Sequence, residues 1–131
     1  MAIDQLDGKE RVLLCVNASL EKKAKDLVIL NVKTLTSFAD YFIICSGTSD
    51  RQVQAIAASI QENLKQFGIT PLGVEGERSG KWVLMDYEDV IIHIFYEPIR
   101  EFYDIERLWS DSPRMEVGSD VTKLCALDNG M

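Results

Sequence analysis

With 131 residues, 47% of them hydrophobic and 27% charged, the chain has the length of one domain and enough apolar side chains for a core without disulfides or a structural metal. It is too short for an α/β barrel or for two full α/β lobes. Its 14 Lys and Arg stand against 21 Asp and Glu, a net charge of −7, which opposes nonspecific binding to nucleic acid or an anionic membrane surface and favours a basic partner.

The first predicted element is a helix over 9–23, where Val12, Val16 and Leu20 recur at four-residue spacing with Leu13 beside them. A strand follows over 26–32, rich in Leu, Val and Ile. Residues 33–40 read as an irregular connection. The unbroken run Tyr41-Phe42-Ile43-Ile44-Cys45 suits a strand covered on both faces. Gly47-Thr48-Ser49 ends it, and Ser49-Asp50-Arg51-Gln52 has the capping-box pattern that opens a second helix. Val53, Ile56, Ala57, Ile60, Leu64 and Phe67 give that helix one apolar stripe, and Gly68 is placed to stop it.

Three strands over 72–77, 81–87 and 90–95 then read as an antiparallel meander. Ser79-Gly80 and Glu88-Asp89 supply the turn chemistry. Pro98 breaks the chain before a helical stretch over 99–109. From Ser110 the pattern fades into a polar segment, expected to be weakly ordered over 113–131. The order α-β-β-α-β-β-β-α predicts an α/β (α+β) fold with a mixed five-stranded sheet flanked by helices, and a right-handed crossover from Tyr41 to Glu77.

Cys15, Cys45 and Cys125 are odd in number and far apart, with no CxxC pair, so neither a disulfide framework nor a zinc ribbon is expected. No apolar run is long enough to span a bilayer. The first residues carry an acid where a signal peptide carries Lys or Arg, which fits a cytoplasmic protein. His93 is the single histidine; without a second His or a Cys pair nearby it reads as a half-buried strand residue rather than a metal ligand. A Cys45–His93 dyad would need an accessible, electropositive thiol, and Cys45 closes an apolar run instead. Neither GxGxxG nor GxxxxGK[ST] nor GxSxG occurs.

The turn Gly47-Thr48-Ser49 before a capped helix has the form of a phosphate-binding turn. Nucleotidyltransferases follow such a turn with an Asp-x-Asp pair that holds two divalent cations. Here Asp50 is followed by Gln52, so the pair is missing. Glu75-x-Glu77 and Asp86-x-Glu88 have the spacing of acidic pairs but read as solvated turns. A metal-dependent nucleotidyltransferase is therefore the alternative to a binding protein, and no metal or other cofactor is expected.

The charge distribution says more. Residues 86–111 hold eight acids against Arg100 and Arg107, which is −6 of the net −7. Tyr87, Phe95, Tyr96, Phe102, Tyr103 and Trp109 interleave with the acids, and Trp82 comes just before. The mixture reads either as a protein-binding hot spot with a polar rim or as core aromatics beside a solvated face.

Several long segments resemble, in order, the signatures of the ribosomal silencing factor family, RsfS, also called Iojap. They are Asp40-Tyr41-Phe42-Ile43-Ile44-Cys45-Ser46-Gly47-Thr48-Ser49, Pro71-Leu72-Gly73-Val74-Glu75-Gly76-Glu77, Lys81-Trp82-Val83-Leu84-Met85-Asp86-Tyr87, Asp89-Val90-Ile91-Ile92-His93-Ile94-Phe95 and Tyr103-Asp104-Ile105-Glu106-Arg107-Leu108-Trp109. The likeness covers about 8–112, giving an RsfS-like domain over 1–112 and a tail over 113–131 with no assigned role. It implies a small fold related to nucleotidyltransferases but lacking their catalytic carboxylates. It also implies a non-enzymatic repressor that binds the large ribosomal subunit through ribosomal protein L-fourteen, blocks joining of the small subunit and damps translation when nutrients are scarce.

On that reading the partner-binding residues lie on the meander and just after it. Strand alternation puts Trp82, Leu84 and Asp86 on one face, taken as the exposed one, and Val83, Met85 and Tyr87 on the other. Tyr96, Arg100, Glu101 and Tyr103 form the second group, with Glu75 and Glu77 as further candidates. Direct recognition of nucleic acid and contact with a membrane are not expected. A homodimer through the same surface is a further possibility.

Overall fold

The computed structural model describes residues 7–117 and 124–126. In chain order the elements are α1 (Gly8–Glu21), β1 (Lys25–Asn31), β2 (Tyr41–Gly47), α2 (Asp50–Lys65), β3 (Gly73–Glu75), β4 (Trp82–Asp86), β5 (Val90–Tyr96), α3 (Glu97–Tyr103), α4 (Ile105–Leu108), β6 (Arg114–Val117) and β7 (Leu124–Ala126).

Both long helices start where their side chains satisfy the free amides of the first turn. Asp7 accepts from the Glu10 amide at 2.9 Å, and the Glu10 carboxylate accepts from the Asp7 amide at 3.0 Å. Ser49 Oγ likewise accepts from the Gln52 amide at 3.1 Å. The expected reciprocal half of that second box falls one residue earlier: Gln52 Oε1 takes the Thr48 amide at 2.6 Å. Its Nε2 donates to the carbonyls of Lys22 and Lys23, so one side chain caps α2 and ties it to the end of α1. Gly68 stops the helical segment with φ +75, the left-handed region that glycine enters without steric cost.

The sheet order is β3-β4-β5-β2-β1-β6-β7. β2 and β5 are parallel and in register from Tyr41 opposite Val90 to Gly47 opposite Tyr96; the other pairings are antiparallel. α2 carries the chain from β2 past the places of β5 and β4 to the edge, and the meander returns to the centre. All seven residues of β2 are buried, as its unbroken apolar run predicts.

The α+β class with helices flanking a mixed sheet matches the sequence expectation, but the sheet has seven strands rather than five. β6 pairs with the outer edge of β1, and β7 pairs with β6. Their signal is weak because Arg-Met-Glu-Val and Leu-Cys-Ala are too short to establish a period, and the strand that seats them, β1, is distant in sequence. Both strands fall within 113–131, of which 118–123 and 127–131 lie outside the described residues. The helical stretch expected over 99–109 also divides. Asp104 adopts φ +45, a left-handed conformation that Asp tolerates better than most side chains, and separates α3 from α4.

Two apolar layers flank the sheet. On one side α1 and α2 press Val12, Val16, Ile56, Ile60 and Leu64 against Ile43, Val83, Met85, Ile92 and Ile94. Burying such side chains contributes roughly 1.5–3 kcal/mol each. Ser59 in α2 donates its hydroxyl to the Ala18 carbonyl at 2.9 Å, joining the helices across their contact. On the other side Leu30, Val32, Phe42, Ile44, Ile91 and Phe95 meet Ile99, Ile105 and Trp109 of the short α3 and α4 and the residue after them, with Ala39 from the connection before β2.

Candidate functional site

The thinly covered face of the sheet carries the candidate site. Alternation along β4 buries Val83 and Met85 against the long helices and leaves Trp82, Leu84 and Asp86 half-buried on the opposite side. β5 contributes Ile91, His93 and Phe95 to that side, and β2 contributes Phe42 and Ile44. A chain of rings crosses it. Phe38 lies 6.4 Å from Trp109, Trp109 4.8 Å from Phe42, and Phe42 5.4 Å from His93. His93 lies 6.0 Å from Trp82, Trp82 5.0 Å from Tyr103, and Tyr103 5.0 Å from Phe102.

The outer members of this band face water. Phe38 is 59% exposed, Phe102 79%, Tyr103 52% and Leu108 80%. α3 and α4 bury none of their own residues completely. Two short helices hold large apolar side chains outward over an aromatic floor, which is the makeup of a protein-binding surface.

Acids rim the band. A cleft of about 430 Å³ beside α3 is lined by Asp26, Ser46, Glu97, Arg100, Glu101, Asp104 and Glu106. Arg100 is turned inward. Its Nε and Nη2 grip the two Glu106 carboxylate oxygens at 2.9 and 3.1 Å, while Nη1 donates to the Asp26 carbonyl and to Ser46 Oγ, both at 2.8 Å. Four of the five guanidinium donors are thus spent inside the protein. The bidentate bond to Arg100 holds the Glu106 carboxyl below its usual range, against the opposing effect of its partial burial. Arg100 fastens α3 to α4 and to the ends of β1 and β2.

The other sequence-derived candidates divide. Trp82, Leu84 and Tyr103 come together on the aromatic face. Glu101 is exposed and lines the acidic cleft. Asp86 lies at the far end of β4, where its carboxylate accepts from the Glu88 amide at 2.8 Å. Tyr96 lies on the opposite side of the sheet, packed against the α1–α2 core, with Lys81 Nζ 5.0 Å from its ring centre. β5 alternation forces this, because Tyr96 shares parity with Ile92 and Ile94 rather than with His93 and Phe95. Glu75 is exposed on the edge strand β3, and Glu77 accepts from Gln61 Nε2 at 2.8 Å. The sequence reading counted Phe102 among the aromatics of a protein-binding hot spot without making it a contact residue, and gave Phe38 and Leu108 no role. The available signal was three large apolar residues in segments read as loop or polar helix.

Gly76 sets the turn that delivers Trp82. It has φ +86, and a Cβ there would lie 2.0 Å from the Trp82 carbonyl oxygen, so any side chain would push β4 away.

The groups weighed for chemistry are arranged otherwise. In the Gly47-Thr48-Ser49 turn the Thr48 amide and hydroxyl both donate to Gln52 Oε1, so the protein's own side chain occupies the donors a phosphate would use. Glu75 lies on the edge strand β3, with β4 and β5 between it and β2, and Glu77 lies in the loop beside α2, its carbonyl accepting from Gln54 Nε2 at 2.9 Å and its carboxylate from Gln61 Nε2. Cys45 and His93 lie on neighbouring strands, but Cys45 joins the α1–α2 core and His93 lies on the opposite face. Burial pushes the Cys45 thiol up to about 12 and depresses His93 to about 4. Among the described residues no group of three or more His, Cys, Asp or Glu is placed to hold a metal ion, and no helix is long and apolar enough to cross a membrane.

Comparison with known proteins bears on this face. Residues 5–128 match the family model described as "Ribosomal silencing factor during starvation". A ribosomal silencing factor RsfS from Halalkalibacterium halodurans is 40% identical over 112 residues, covering 86% of this chain and 96% of that protein. A crystal structure from Chromobacterium violaceum superposes with a TM-score of 0.79 at 40% identity, covering 80% of this chain and 88% of that one. A more distant mouse relative, named mitochondrial assembly of ribosomal large subunit protein 1, is 27% identical over 110 residues, covering 82% of this chain and 48% of that protein.

Proposed function

The chain belongs to the ribosomal silencing factor family, and on that premise we propose that it is a translational repressor that binds the large ribosomal subunit through ribosomal protein L-fourteen. A folded body seated there keeps the small subunit from docking, so repression follows occupancy of the site and needs no chemical step. Nutrient limitation is the condition under which it acts, and the cytoplasm is where it meets ribosomes. The protein is not an enzyme.

The observation that carries this reading is the aromatic band of half-buried Trp82 and Trp109 and exposed Tyr103, Phe102 and Phe38 beside an acidic cleft. Its rings supply contact area, and its carboxylates complement a basic ribosomal protein while repelling rRNA phosphates. Trp82, Leu84, Tyr103 and Glu101 are the contact residues, with Asp86 at the margin. The name of the mouse relative points to the large subunit as well. Sedimentation with purified subunits tests the proposal: the protein should comigrate with free large subunits, and pull-down by isolated L-fourteen should succeed. A log–log salt slope as steep as that of a nucleic-acid binder would contradict it.

The same apolar band offers a homodimer surface, in competition with the ribosomal partner. Size exclusion across a range of concentrations reads this directly. The nucleotidyltransferase alternative predicts a rise in melting temperature with nucleoside triphosphate and magnesium; no shift is expected.

A further inference from the structure

The Trp82 ring reaches the surface, but its indole N–H does not serve a partner. Nε1 donates to His93 Nδ1 at 3.2 Å. That bond uses the only polar group of the indole. The acceptor belongs to the next strand, two residues along in register, with His93 opposite Leu84 and Phe95 opposite Trp82. The imidazole is 7% exposed. It stacks nearly parallel to Phe95 at 6.2 Å and 11°, and meets Phe42 edge-on at 5.4 Å. Trp82 itself stacks on Phe95 at 4.8 Å and 29°. Two neighbouring rings of β5 therefore hold the indole, Phe95 by its face and His93 by its nitrogen.

We infer that His93 is the positioning residue of the binding face: it takes the Trp82 N–H, fixes the indole before any partner arrives, and leaves an anchor with a π surface and no free donor. The consequence is a specificity rule. The partner group that meets Trp82 must be apolar or cationic, because an acceptor aimed at the indole finds its hydrogen already engaged. Holding the ring in place beforehand also removes part of the ordering cost of association. This rests on the reading of the Trp82 face as the partner-binding surface.

The acceptor role requires a neutral imidazole. The groups walling His93 are Phe42 and Ile44 from β2, Trp82 and Leu84 from β4 and Phe95 from its own strand. Among these ring contacts the titratable group is the Tyr103 phenol, on the far side of Trp82. Burial alone holds His93 near 4, so the bond persists through the physiological range.

The test uses the full chain and reads two things separately. Trp82 and Trp109 give two indole ¹H–¹⁵N resonances, assigned with Trp109→Phe. In the unmodified protein the Trp82 resonance should hold its position from pH 8 to pH 5.5. A transition at an ordinary histidine pKa would overturn the inference. His93→Leu keeps an apolar filling of similar size and should move the Trp82 resonance toward that of a solvated indole while the circular dichroism stays native. It should weaken large-subunit binding about five- to tenfold. His93→Gln, which retains an acceptor, should recover most of both. An unmoved Trp82 resonance in His93→Leu overturns the proposal, as does a moved resonance with unchanged affinity while Trp82→Ala still weakens binding. If Trp82→Ala binds as tightly as the unmodified protein, the fault lies with the reading of the face, and the resonance alone decides the role of His93.

Discussion

The two faces of the sheet are built from the same strands and covered in opposite ways. One lies under α1 and α2, two long capped helices that bury eleven residues between them. The other lies under α3 and α4, which bury none of their own and hold Phe102, Tyr103 and Leu108 in water. The first face spends its apolar area on the fold. The second leaves large apolar side chains in water, as the proposed partner surface requires. Strand alternation makes the division, since adjacent residues of one strand serve opposite purposes: Val83 is core and Trp82 is surface.

Substitution on either face should separate the two roles. Ile92→Ala, on the covered face, removes a fully buried side chain and should cost about 2–5 kcal/mol. Phe102→Ala, on the open face, should stay within about 0.5 kcal/mol. Urea unfolding of both variants gives the contrast directly, and equal losses would show that the open face is structural after all. Trp82→Ala should weaken large-subunit binding by about 2 kcal/mol or more, as hot-spot truncation does, with native circular dichroism. Unchanged cosedimentation would place the anchor elsewhere.

The acidic cleft sharpens the comparison, because its single arginine belongs to the fold. Arg100→Ala should cost about 2 kcal/mol at neutral pH through the loss of hydrogen bonds to a charged group. Glu106 titrates below its usual 4.5 in the folded protein, so the unfolded chain binds its proton first as pH falls. The stabilisation is complete above that value and is lost as pH drops through the lower, folded one. The stability gap between the parent and Arg100→Ala should therefore be full at pH 7 and shrink below about 4.5. A gap independent of pH would remove the ion pair from the account. Ser49→Ala tests the covered side at its edge. Losing the cap on α2 should cost about 1 kcal/mol, without altering ribosome binding once the protein is folded.

The covered face was largely legible in the sequence. The stripe from Val53 to Leu64 and the unbroken run from Tyr41 to Cys45 are strong periodic signals, and burial follows from them. The open face was legible only in part. Alternation placed Trp82 and Leu84 together, and Tyr103 joins them. Tyr96 is separated from them because its parity on β5 points it into the core. Arg100 looked like a surface cation among acids. Its bonds to Glu106, Asp26 and Ser46 depend on the left-handed break at Asp104, which no period announces. β6 and β7 escaped notice because strands of three or four residues carry little period of their own, and β6 owes its place to β1, a neighbour remote in sequence.

The central claim is that the open face acts by exclusion. Purified small and large ribosomal subunits, mixed in magnesium with increasing amounts of this protein, can be followed by light scattering for the joined particle. The account predicts that joined particles fall in proportion to occupancy of the large subunit, with Trp82→Ala shifted to higher concentration. Undiminished joining at saturating protein would contradict it.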